Sequence, residues 1–130
     1  TNTPLQALIL MNDPQYVEAS QFLANKMIKE GGESLINQMK YGFKLATSRS
    51  PNNLELERLT TIYRKQYNFY SNHNKEAIKL IGTNTTGLET ISSYSDLAAF
   101  VMVANTIINL DETVRKGKGL WILYKSASVP

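Results

Sequence analysis

Few side chains in this sequence could carry chemistry, and they do not converge by spacing. The single histidine, His73, sits in the polar run Ser71-Asn72-His73-Asn74. With one imidazole and no cysteine, neither a nucleophile–base pair nor a multi-histidine metal site is expected within this chain alone. His73 reads instead as a solvated turn residue. Asp111 and Glu112 form an adjacent carboxylate pair, but neighbours on a helix point in different directions. Glycosidase-type acid/base work needs two carboxyls facing each other across a cleft. Basic residues interleave with aromatics at Lys40-Tyr41 and across Tyr63-Arg64-Lys65-Gln66-Tyr67. Stacking and phosphate contacts use that mixture, yet on amphipathic helices it reads as core aromatics beside a solvated basic face. No glycine-rich phosphate loop occurs. Catalysis by this segment alone and nucleic-acid binding are therefore not expected.

The elements that would have to position these residues are helical. The chain has 130 residues, enough to bury a core. Its 42% hydrophobic and 19% charged residues place it among globular sequences rather than disordered ones. A net charge of +3 is too weak to imply an anionic partner. The lack of cysteine excludes disulfides, thiolate metal sites and covalent c-type haem within the segment. No apolar run is long enough to cross a bilayer and no leader-like start is present. A chain that opens on Thr1 and goes straight into a cap reads as a piece of something longer.

Two helix starts are packed into the opening run. Thr3-Pro4-Leu5-Gln6 fits a capping box with proline at the first helical position. Asp13 caps a second helix whose first residue is Pro14, with Glu18 near its positive end. Pro14 also biases Asp13 away from helical angles, so the first helix stops near Met11 or Asn12. The corner is read as a tight α–α junction held by caps. Asn12 and Asp13 are its candidate interaction residues.

Apolar spacing then predicts helices over residues 14–30, 33–47 and 53–70, with a short one through Ala77, Ile78 and Ile81. Gly31-Gly32 ends the first, and Asn52 with Glu55 makes a capping box for the third. Residues 82–87 read as a loop. From 96 to 115, with Ser93 and Asp96 as its capping pair, the pattern is apolar nearly all round, which marks the buried centre of a bundle. Asn105, Asn109 and Glu112 share one face of that helix, and buried polar groups need partners. Bonds to the backbone of another helix end are the expected solution, with a ligand or interdomain contact as the alternative. Gly117 and Gly119 supply the stop.

Four blocks carry a resemblance. They are the run TNTPLQALILMNDP of residues 1–14, Tyr16-Val17-Glu18-Ala19, residues 43–51 (FKLATSRSP) followed by Glu55, and Ile108-Asn109-Leu110-Asp111-Glu112. Together they resemble a planctomycete-type domain of unknown function that closes multidomain proteins with a haem c domain near their N-terminus. The resemblance spans residues 1–116 and matches the C-terminal portion of the family domain, leaving 117–130 as a non-family tail. It implies an exported or periplasmic, cytochrome c-associated protein, with haem c only in an upstream domain and no cofactor in this segment. It transfers no catalytic residue and no metal ligand.

The expected architecture is thus all-α, a bundle of five or six helices around a buried C-terminal helix, with a short apolar tail. The expected role is a non-catalytic structural or interaction module whose partners are the upstream domains. The alternative is one wall of an oxidative or polysaccharide-degrading site completed by those domains. Clustering of Asn12, Asp13, Arg49, Asn109 and Glu112 around one cavity would favour the latter. Trp121, within the apolar run from Leu120 to Tyr124, is the candidate for docking onto the bundle or for self-association.

Overall fold

The computed structural model of the chain describes residues 14–81 and 94–110. Five helices and no strand occur among them. Helix α1 (Pro14–Glu30) turns Ala19, Ser20, Leu23, Ala24, Met27 and Ile28 inward, an i, i+3, i+4 stripe with charged residues left outside. It ends as its sequence demands. The Gly31 amide donates to the Met27 carbonyl at 3.1 Å. A β-carbon at Gly31 would lie 2.5 Å from that carbonyl oxygen and 2.8 Å from Cα of Gln38, so no side chain fits. Gly32 follows with φ +99°, a left-handed angle that glycine adopts without strain.

Helix α2 (Leu35–Thr47) starts two residues later than the apolar pattern predicts. The reason is Ser34, whose extended backbone caps the helix while its Oγ accepts from the Asn37 amide at 3.1 Å. Gly42 presents bare backbone to Met27, whose sulfur occupies the space a β-carbon would need, so α1 and α2 approach closely there. Ser48 closes α2 in the left-handed region (φ 69°), with its amide on the Lys44 carbonyl. Helix α3 (Asn53–Ser71) opens on the expected capping box. Helix α4 (Asn74–Ile81) follows after a short polar turn.

Helix α5 (Tyr94–Ile108) packs against all four others. Leu97, Phe100, Val101, Val103, Ile107 and Ile108 are all buried, each contributing roughly 1.5–3 kcal/mol by leaving water. The expected central helix is present, but its end is corrected. The helix stops at Ile108 rather than running on to 115, because Leu110 donates to the Ile107 carbonyl at 3.1 Å in a tightened last turn. The predicted first helix, the opening corner, the Ser93 cap, the loop at 82–87, the glycine stop and the tail lie outside the described residues. No helix among the described residues is long and apolar enough to cross a membrane.

Two tertiary bonds tie α1 to the end of α4. Gln21, on α1, donates its side-chain amide to the carbonyls of Leu80 and Ile81, both at 3.0 Å. These are orphan carbonyls at the end of α4, which an eight-residue helix cannot satisfy itself.

Candidate functional site

A cleft of about 320 Å³ opens between α2, α3 and the end of α5. Phe43, Leu59, Ile62 and Leu110 give it an apolar lining, and Glu55, Arg58, Thr106 and Asn109 supply the polar groups. The periodicity of α3 explains the arrangement: Glu55, Arg58, Leu59 and Ile62 are spaced by three and four and fall on one face.

One rim of the cleft is the α2–α3 corner. Arg49 grips Glu55 with two parallel bonds, Nη1 to Oε1 at 3.0 Å and Nη2 to Oε2 at 2.7 Å, and adds a third to the Ser50 carbonyl at 3.2 Å. Its guanidinium carbon lies 4.9 Å from the centroid of the Phe43 ring. Glu55 also accepts from the Asn52 amide at 2.9 Å, while the Asn52 side chain accepts from the Glu55 amide at 2.8 Å. The Arg49 bond, ahead of the Asn52 amide, holds the Glu55 carboxyl below its ordinary pKa, and only partial burial opposes this. A carboxylate with both oxygens engaged in this way is a structural anion and not a poised base. Thr47 anchors the same corner by donating to the Phe43 carbonyl at 2.8 Å.

A buried ladder leads inward from the opposite end of the cleft lining. Asn105 is fully buried on α5 and donates through Nδ2 to Ser20 Oγ on α1 at 3.2 Å. Asn109 donates in turn to Asn105 Oδ1 at 3.4 Å. The pair is therefore partnered, as its position on a central helix requires, but the expected backbone acceptor is corrected. The partner of Asn105 is a side chain in the middle of α1, because Ser20 and the Asn105 amide face each other across that interface.

Elsewhere, the Tyr63 hydroxyl donates to the Asp96 carboxylate in the first turn of α5. Burial, reinforced by that bond, pushes the Tyr63 phenol well above its ordinary value near 10. Its ring packs on Phe100 at 5.2 Å and Tyr67 at 5.9 Å, so the basic–aromatic segment places Tyr63, half-buried, against the core, while Tyr67 is exposed, a departure from the core aromatics expected there. His73 is exposed in its turn as expected, yet it is held, with Nδ1 2.8 Å from the Phe69 carbonyl and its ring stacked on Phe69 at 4.2 Å. Among the described residues no three His, Cys, Asp or Glu side chains group in a metal-binding arrangement.

Of the sequence-predicted residues, Asn109 lines the cleft, and Arg49 borders it through Glu55 and Phe43. Asn12, Asp13, Glu112 and Trp121 lie outside the described residues. Sequence reasoning missed Arg58, Thr106 and the role of Glu55 as a cleft wall. The i, i+3 spacing of Glu55 and Arg58 was the available signal, but its value depends on which helices flank α3.

Residues 1–63 match the model of a family described as PSD1, a protein of unknown function (DUF1553). The match supports a DUF1553-type domain in the first half of the chain, ending within α3. No curated protein and no solved structure matches the chain.

Proposed function

We propose that the chain is a non-catalytic structural or interaction module of a larger exported, haem c-associated bacterial protein, with that protein's upstream domains as its partners. One observation carries this reading: Arg49, Glu55, Asn105, Asn109 and His73 are used to build the bundle. Arg49 and Glu55 lock a corner, Asn105 links α5 to α1 with Asn109 bonded behind it, and His73 is fixed on Phe69. The DUF1553-type match over residues 1–63 supports a domain of this kind. The haem belongs to an upstream domain in this reading. The chain has no cysteine for covalent attachment, and its only imidazole has Nδ1 against a backbone carbonyl.

The alternative, one wall of an oxidative or polysaccharide-degrading site, is favoured by the cleft and its Arg58 and Asn109. A full-length protein carrying Arg58→Ala or Asn109→Ala separates the two. The module reading expects unchanged polysaccharide turnover and an unchanged haem spectrum. Lost turnover at an unchanged melting temperature would establish the alternative.

A further inference from the structure

The cleft has a composition that suits one kind of side chain. Its apolar lining of Phe43, Leu59, Ile62 and Leu110 is joined by a cation and by a hydrogen-bond acceptor. Arg58 is exposed and makes no ion pair among the described residues. Asn109 commits its Nδ2 to Asn105, and its side-chain oxygen accepts from no donor among the described residues. A large apolar ring with one N–H and a π face satisfies all three features at once. It buries area, donates to a carbonyl oxygen and receives a guanidinium over its face. That group is an indole.

The position of the cleft in the chain identifies where the indole comes from. Leu110, part of the lining, is also the last described residue after α5, so the residues that follow it start from the wall of the cleft itself. The only tryptophan, Trp121, follows eleven residues later in the run Leu120-Trp121-Ile122-Leu123-Tyr124. The intervening stretch has a reach of at most roughly 35–40 Å when extended. It contains Gly117 and Gly119, which tolerate the backbone angles of a reversal. A run of five large apolar residues is costly to leave in water. The geometry points to the cleft between α2, α3 and α5 as the docking site of this chain's own residues 120–124, with Trp121 seated beside Arg58 and Asn109.

The absence of native cysteine makes the test direct. Thr106→Cys, in the cleft, is paired with Ile122→Cys and oxidised at micromolar concentration. The control pairs Ile122→Cys with Lys65→Cys, an exposed α3 position outside the cleft lining. Docking within one chain predicts a monomeric disulfide in the cleft pair, formed on the order of tenfold or more faster than in the control, because a seated tail exceeds the effective concentration of a merely tethered one. Equal rates for the two pairs would overturn the proposal. So would a cleft-pair disulfide that forms only between chains, which would make the occupant a second copy. Fluorescence supplies a check without cysteines. Trp121 emission is expected to be blue-shifted in the native chain and to move to the red in Ile62→Gln at unchanged helical circular dichroism. Native emission already at the unfolded-state wavelength would also overturn it.

Discussion

Two polar networks flank the cleft, and they obey different economies. The α2–α3 corner gathers five hydrogen bonds through the side chains of Arg49, Asn52 and Glu55 where water still reaches, the Arg49 side chain being 40% exposed. The inner ladder rests on two side-chain bonds, Asn105 to Ser20 and Asn109 to Asn105, and Asn105 has no access to water. The number of bonds is a poor guide to consequence here. A broken corner bond is replaced by solvent, whereas a broken ladder bond strands a polar atom in the core. Few buried bonds should outweigh many exposed ones.

The strongest way to break this comparison is Asn105→Ala. It removes one hydrogen bond from each of Ser20 and Asn109 and opens a cavity, so a loss of roughly 2–3 kcal/mol is expected in chemical denaturation. The double change Asn105→Leu with Ser20→Ala should recover much of that loss, since replacing both partners with apolar groups is far less costly than orphaning one. A single Asn105→Ala costing less than any corner substitution would reverse the ranking. Next in size is Glu55→Ala, which removes one half of a capping box together with the Arg49 anchor. About 1–2 kcal/mol is expected, seen as a lower denaturation midpoint at an unchanged slope.

Arg49→Ala should have the smallest effect, about 0.5–1 kcal/mol at low salt, because the pair is partly exposed and screened. Raising ionic strength toward about 1 M should shrink the difference from the parent chain. Acid sharpens the same point. The Glu55 carboxyl titrates below its ordinary value of 4.5 when folded, so its contribution is fully present above that pH and is lost as pH falls through the folded pKa. Parent and Arg49→Ala stabilities, measured by urea titration at stepped pH, should therefore converge in acid. Parallel curves would show that Glu55 gains nothing from Arg49.

The corner was legible in the sequence and the ladder only in part, for a physical reason. Asn52 and Glu55 act over three residues, a spacing fixed by helix geometry, so the capping box can be read locally. The start of α1 at Pro14, its stop at Gly31 and the apolar character of α5 are local in the same sense. That Asn105 needed a partner also followed from its place on an apolar helix. That the partner is Ser20, eighty-five residues away, did not, because it depends on how α1 and α5 cross. Gln21 on the end of α4 and Tyr63 on Asp96 were hidden for the same cause. The end of α5 at Ile108 escaped notice because the apolar pattern continues through Leu110 after the backbone has tightened.

The bond between Ser20 and Asn105 has a consequence for alignment. Helix α5 is apolar over almost its whole circumference, and α1 offers it a stripe of Ala, Leu and Met. Two such surfaces can slide by a turn, about 5.4 Å, and still bury hydrocarbon. Only one setting puts the Asn105 amide opposite the Ser20 hydroxyl, and a slip by one turn breaks that bond. The pair therefore acts as a vernier mark on an otherwise unmarked rod, a use of a buried polar group best known from coiled coils. Because Asn109 and Leu110 follow directly on the last turn of α5, that mark also sets where the end of α5 meets Glu55 and Arg58 on α3. A chain with the apolar double substitution could then match the parent in stability and still present a cleft whose walls are out of step.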